Sequence, residues 1–168
     1  EELGTLIRDV PDFPKPGILF KDITTLLKEP AAFRSVIALL VERYRGERLD
    51  AVVAVESRGF IFGAPLAHQL GLAFVPVRKI GKLPADTIEQ EYALEYGTAT
   101  IEVHRDALRP GARVVIVDDL LATGGTIRAT IDLIEKLGAE VVSLAFLVEL
   151  GFLEGRARLA GYDITALI

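Results

Sequence analysis

Apolar residues recur along this chain in two rhythms, one helical and one extended, that alternate. Phe33, Val36, Ile37, Leu40, Val41 and Tyr44 follow the i, i+3, i+4, i+7 spacing of a helix with one buried side, and Pro30 suits its first turn. Ala51 to Val55 reads as a short apolar strand. A helix follows from about Gly59 to Leu70, ended by Gly71, and Phe74 to Val77 reads as the next strand. Upstream, Leu3, Leu6, Ile7 and Val10 predict a short amphipathic N-terminal helix. Pro11 to Gly17, with three prolines and a glycine, predicts a fixed irregular segment.

The rhythm breaks after Val77. Lys79 to Ala85 carries glycine, lysine and proline, and Tyr92 to His104 reads as two strands around Gly97, an antiparallel hairpin. The earlier pattern resumes at Arg113. Ile127, Thr130, Ile131, Ile134 and Leu137 mark a helix closed by Gly138, and Val141 to Val148 is continuously apolar, as in the middle of a parallel sheet. A short helix near Leu153 to Leu159 and a last strand at Ile164 to Ile168 complete the chain. Such alternation predicts an α/β fold: a doubly wound, mostly parallel sheet with flanking helices, in a single domain over residues 1–168. The interrupting hairpin, residues 79–104, is expected over the carboxyl ends of the strands, where ligands bind in such sheets; it is a candidate lid.

Composition narrows the function classes. The 168 residues are 51% hydrophobic, which argues against disorder. No apolar run approaches the roughly 18 residues of a membrane span. A net charge of −5 argues against general nucleic-acid binding. The absence of cysteine removes disulfides, thiolate nucleophiles and zinc–thiolate sites, and makes a cytoplasmic location the default. His68 and His104 are the only histidines and show no metal spacing, so no dedicated protein metal site is expected.

One stretch carries most of the chemistry. Val114 to Thr126 reads V-V-I-V-D-D-L-L-A-T-G-G-T: a strand, two adjacent carboxylates, a short turn and a glycine-rich loop opening a helix. Such a loop can aim consecutive backbone N–H groups at a phosphate, aided by the positive end of the helix dipole. Asp118 and Asp119 would repel a phosphate and suit the hydroxyls of a ribose, so the implied ligand is a ribose 5′-phosphate. No lysine follows the glycines, as it would in a Walker A loop, and no G-x-G-x-x-G is present. Val53 to Gly59 repeats the strand–turn–helix arrangement. Arg58 stands there at a helix start, where it could hold a pyrophosphate by bidentate hydrogen bonds or merely pair with an acid such as Glu56.

The thirteen residues at 114–126 resemble the phosphoribosyl-pyrophosphate (PRPP) signature of type I phosphoribosyltransferases. In order along the chain, P-K-P-G-I-L-F-K-D-I-T, E-S-R-G-F-I-F-G, R-K-I-G-K-L-P, L-E-Y-G and L-V-E-L also resemble the adenine phosphoribosyltransferase family. That resemblance implies transfer of phosphoribose from PRPP to adenine, giving AMP and pyrophosphate. It implies that Asp118 and Asp119 hold the ribose hydroxyls. Ala122, Thr123, Gly124, Gly125 and Thr126 would bind the 5′-phosphate, and Ser57 and Arg58 the pyrophosphate. Arg78, Lys79 and Lys82 would bring further positive charge to the leaving group. Residues 1–28 would form a purine-binding hood, in which Phe20 stacks on adenine, Leu150 covers its other face, and the backbone of Leu19 and Lys21 reads its edge. Glu95, beside Tyr96 on the lid, would handle the purine proton. The family also implies a non-proline cis peptide at Glu56–Ser57–Arg58, Mg²⁺ carried mainly by PRPP, and a homodimer. Two alternatives remain open: a xanthine, hypoxanthine–guanine or orotate phosphoribosyltransferase, and a non-catalytic regulator that senses PRPP or a nucleotide.

Overall fold

The computed structural model describes residues 2–94 and 96–168. Its centre is a seven-stranded sheet, ordered β5-β6-β4-β3-β7-β8-β9, in which β5 is Thr87–Ala93 and β6 is Thr98–His104. The parallel part comprises β3 (Ala51–Val55), β4 (Ala73–Lys79), β7 (Arg113–Leu121), β8 (Glu140–Glu149) and β9 (Ile164–Ala166). Successive side chains on these strands enter two different cores. Val53, Val55, Val114 and Ile116 pack with Ile127, Ile131 and Ile134 of α4 (Gly125–Lys136). Val52, Val115 and Val117 pack on the opposite side with α2 (Pro30–Tyr44) and α3 (Arg58–Leu70) through Val36, Leu40, Phe62 and Leu66. This is the doubly wound arrangement expected from the apolar runs. Each buried valine contributes about 1.5–3 kcal/mol, so the sheet is fixed by its core, independently of the loops at its ends.

Chain direction through the sheet sets the site. From β3 the chain crosses through α3 to β4 on one side; from β7 it crosses through α4 to β8 on the other. The strand order therefore reverses between β3 and β7, and the loops after these neighbouring strands open a crevice at their carboxyl ends. Residues 56–58 and 118–126 lie there, as expected.

β5 (Thr87–Ala93) and β6 (Thr98–His104) form the antiparallel hairpin. It joins the sheet edge where Arg78 and Lys79 of β4 pair with Glu102 and Ile101, and Ile80 donates its N–H to Thr100 O at 3.1 Å. Its first strand begins five residues before Tyr92, because the polar run Thr87-Ile88-Glu89-Gln90-Glu91 buries only part of one face against α4.

The N-terminal helix is a correction. Only Leu3–Leu6 form a turn of 3₁₀ helix. Val10 belongs to β1 (Arg8–Pro11), paired antiparallel with β2 (Leu19–Asp22). Pro11 lacks an N–H and disfavours helical backbone in the residue before it, which turns the segment to an extended form. Asp22 ties the ladder to α1 (Thr24–Leu27): its carboxylate accepts from the Thr24 hydroxyl at 2.7 Å and from Arg8 at 2.6 Å, which lowers its pKa to about 2. The expected helix at Leu153 to Leu159 is a second correction. Two short 3₁₀ turns, Gly151–Leu153 and Gly155–Leu159, are separated by Glu154 at φ 55°. Among the described residues no helix is long and apolar enough to cross a membrane.

Candidate active site

Gly59 brings the two loops together. A β-carbon there would lie 2.8 Å from the Val117 carbonyl oxygen and 3.2 Å from Asp118 Oδ1, so only glycine lets α3 start hard against the end of β7. Ser57 and Arg58 are thereby set beside Asp118 and Asp119. The Glu56–Ser57 peptide is cis, as the resemblance implied.

Two cavities meet at this point. The larger, about 530 Å³, is walled by Glu56, Ser57, Arg58, Arg78, Lys79, Lys82, Tyr92, Asp118, Asp119 and Thr126, among others. The smaller, about 190 Å³, is walled by the run Asp118 to Ile127 together with Arg58. Arg58, Asp118, Asp119 and Thr126 belong to both. One end of the crevice is thus rich in cations, the middle carries two carboxylates, and the other end is a loop of backbone N–H groups.

The carboxylates are not equivalent. Asp119 is 5% exposed, and its Oδ2 sits 2.7 Å from Arg58 Nε. Asp118 accepts the Asp119 backbone N–H at 2.8 Å. Burial and then the neighbouring Asp119 charge push the Asp118 carboxyl well above the usual range, against a smaller opposing pull from Arg58. Arg58 also lies 5.4 Å from the Phe20 ring centroid, so one guanidinium links the acidic pair to β2. The acid that Arg58 meets is therefore Asp119; Glu56 is taken by Arg78, at 2.9 and 2.6 Å. That hydrogen bond holds the Glu56 carboxyl below its ordinary pKa. Arg78 is accordingly paired, whereas Lys79 and Lys82 form no salt bridge among the described residues and bring the less compensated charge of the larger cavity.

The glycine-rich loop has the expected form. Gly124 has φ 86° and stands at the N-cap of α4, where no side chain caps the first turn. The opening N–H groups of the helix lack intrahelical acceptors and are available to an anion.

The other expected positions lie apart. Leu19, Phe20, Lys21 and Leu150 wall neither cavity. Phe20 lies behind Arg58. Lys21 forms an ion pair with Asp9 at 2.6 Å, and Leu150 donates its N–H to Leu121 O at the rim of the phosphate loop. Leu19 and Lys21 have the same parity on β2, so their backbone groups point to one side of the two-stranded ladder. Glu95 lies outside the described residues. Its neighbour Tyr96 has Lys15 Nζ 5.4 Å from its ring centroid, a contact between the hairpin tip and the N-terminal segment.

Sequence reasoning missed Glu102. It is 3% exposed, and its Oε1 accepts the backbone N–H of Lys82 at 3.0 Å and of Leu83 at 3.2 Å. Burial raises its pKa, but these N–H groups, that of Gly81 and the Thr87 hydroxyl outweigh it, so the carboxyl is held low and charged. The carboxylate fixes the turn that carries Lys79 and Lys82. Glu102→Ala is expected to lower affinity for pyrophosphate about tenfold or more and to reduce thermal stability, since hydrogen bonds to a charged group are worth about 1.5–3 kcal/mol each. Pyrophosphate titration and thermal melts check this; native pyrophosphate affinity would show that the turn holds without its anchor.

A family model described as phosphoribosyl transferase domain matches residues 22–161. An adenine phosphoribosyltransferase of Chloroflexus aurantiacus is 60% identical over 168 residues, covering 100% of this chain and 97% of the relative. The crystal structure of adenine phosphoribosyltransferase from Thermoanaerobacter pseudethanolicus matches with a TM-score of 0.96 at 58% identity, over 99% of this chain and 97% of that one. The Saccharomyces cerevisiae enzyme, solved with adenine and an imino-altritol bisphosphate, matches with a TM-score of 0.93 at 39% identity, over 99% and 97%. Full-length likeness of this degree joins the crevice to a lineage: the chain belongs to the adenine phosphoribosyltransferase family.

Proposed function

We propose that the chain transfers phosphoribose from PRPP to adenine, giving AMP and pyrophosphate, as an enzyme of purine salvage. The observation that carries this reading is the order of groups along the two joined cavities: cations, then two carboxylates, then an N–H loop. PRPP has the matching order of pyrophosphate, ribose diol and 5′-phosphate. Ser57, Arg58, Arg78, Lys79 and Lys82 take the pyrophosphate, Asp118 and Asp119 the ribose hydroxyls, and residues 122–126 the 5′-phosphate. Arg58 turns from Asp119 and Phe20 towards the pyrophosphate, leaving the Phe20 ring free to stack on adenine, with Leu150 on the other face. The backbone of Leu19 and Lys21 reads the adenine edge, where an N6 donor lies beside an N1 acceptor.

Residues 1–28 act as a hood and residues 79–104 as a lid that excludes water from the cationic ribosyl carbon. Mg²⁺ would be carried by PRPP. Among the described residues no three carboxylate or imidazole side chains cluster as a cage; substrate oxygens and water would hold the ion. It would supply charge neutralisation to the leaving pyrophosphate. The enzyme works as a cytoplasmic homodimer, the partner subunit adding positive charge near the pyrophosphate.

A base panel tests the reading. With PRPP and Mg²⁺, adenine is expected to release pyrophosphate, whereas guanine, hypoxanthine, xanthine and orotate are not. The 6-oxo bases reverse the donor–acceptor pair and leave buried groups unpaired, a mismatch that can cost 10⁴–10⁵-fold, an order-of-magnitude figure. Equal turnover of guanine and adenine would sink the adenine assignment; binding of PRPP without pyrophosphate release for any base would favour a sensor.

A further inference from the structure

A ribose 5′-phosphate brings up to two negative charges to a loop that has no cation of its own. Leu121 to Ile127 offers only backbone N–H groups and two threonine hydroxyls, and the nearest side-chain charges on the same strand are the carboxylates of Asp118 and Asp119.

Arg58 walls the cavity beside the loop but is paired with Asp119 at 2.7 Å, and a second cation reaches the loop from another part of the chain. The turn Gly155–Leu159 packs directly on it. A β-carbon on Gly124 would lie 2.8 Å from Gly155 O, and one on Gly155 would run into Ala122 O. Pressed in this way, the turn carries Arg158 across both glycines of the loop. Arg158 Cβ lies 3.5 Å from where a Gly124 β-carbon would stand, and its Nη1 lies 3.3 Å from where a Gly125 β-carbon would stand. Arg158 is exposed and forms no salt bridge among the described residues. Arg156, two positions earlier, is bound to Glu149 at 2.7 and 2.9 Å. A cation beside the N-terminus of α4 faces the positive end of the helix dipole, a placement that is unfavourable unless an anion joins it.

We propose that Arg158 is a binding residue for the 5′-phosphate, its guanidinium supplying the charge-assisted hydrogen bonds that the loop lacks. This rests on the reading of residues 122–126 as the 5′-phosphate loop. The test is direct binding, by calorimetry, of ribose 5-phosphate and, separately, of pyrophosphate to the wild type and to Arg158→Met, which keeps the apolar stem over the glycines. Loss of a charged hydrogen-bond partner is expected to raise the ribose 5-phosphate Kd about ten- to a hundredfold. The pyrophosphate Kd and the melting temperature are expected to stay native, and Arg158→Lys to recover part of the affinity. Native affinity of Arg158→Met for ribose 5-phosphate overturns the proposal. So does a parallel loss for both ligands or an early melt, either of which assigns Arg158 a packing role. A wild-type chain that takes pyrophosphate but no ribose 5-phosphate overturns the loop reading itself, and the proposal with it.

Discussion

Replacing Asp118 and Asp119 together with asparagine is expected to lower kcat/KM for PRPP by about two to three orders of magnitude, the scale seen when a group facing transition-state charge is removed. The amides can still accept from ribose hydroxyls, so ground-state contacts survive in part. What is lost is negative charge beside a ribosyl carbon that becomes cationic as pyrophosphate departs, as in glycoside chemistry. Near-native kcat/KM in the double variant would remove the pair from the mechanism.

The single change Asp118→Asn separates function from folding. Asp118 has a folded pKa raised above its unfolded value by burial and by Asp119. A carboxyl shifted in this direction destabilises the fold at neutral pH. The penalty is absent below the unfolded pKa and grows as pH rises towards and through the folded one. The amide side chain of the variant would keep an oxygen acceptor for the Asp119 N–H and carry no such penalty. The variant's melting temperature is therefore expected to exceed the wild type's at pH 7–8 and to converge on it near the carboxylate range, while activity falls. A melt that drops at neutral pH would mean that the charged form is the one the fold prefers.

The second large effect is expected at Glu95. As N9 of adenine bonds to C1′ it must lose a proton, and a positioned acid–base group contributes about 10²–10⁴ in rate. Glu95→Gln is expected to lower kcat within that range while PRPP affinity, measured by titration, changes little. Glu95→Leu is expected to be worse, because it leaves the imidazole edge unpaired. The hairpin that carries residue 95 already contributes Tyr92 to the larger cavity and Tyr96 to the Lys15 contact. A kcat within a few-fold of native in both variants would move the proton-handling role elsewhere and leave the PRPP assignment intact.

What the sequence reveals of this molecule is what local rhythm can encode. The five valines and alanines of β3, the apolar run of β8 and the stripe of α2 each announce their burial because their covering partners are regular layers. Val10 gives no such signal. Its partner Phe20 lies ten residues away across a proline-rich turn, and i, i+3, i+4 spacing cannot distinguish a strand that pairs there from a helix that stops. Glu102 hid for a related reason. Ile101 and Val103 face the core, so strict alternation sends Glu102 towards solvent. In the structure the turn at residues 81–83 folds over that face and buries it. At the site, Arg58, Asp118, Asp119 and the loop were legible because each lies near or just past the carboxyl end of a strand in the same sheet. The contact of residues 155–158 with residues 122–125 was not, since nothing in either segment names the other.

That last contact also orders events in time. A nascent chain emerges N-terminal end first, and β3, α3, β4, the hairpin and β7 can pair as they appear. The glycine loop emerges with them but stays unbraced until residues 150–158, some thirty positions downstream, are free to close against it. A chain from which residues 150–158 have not yet emerged therefore holds a phosphate loop without its brace.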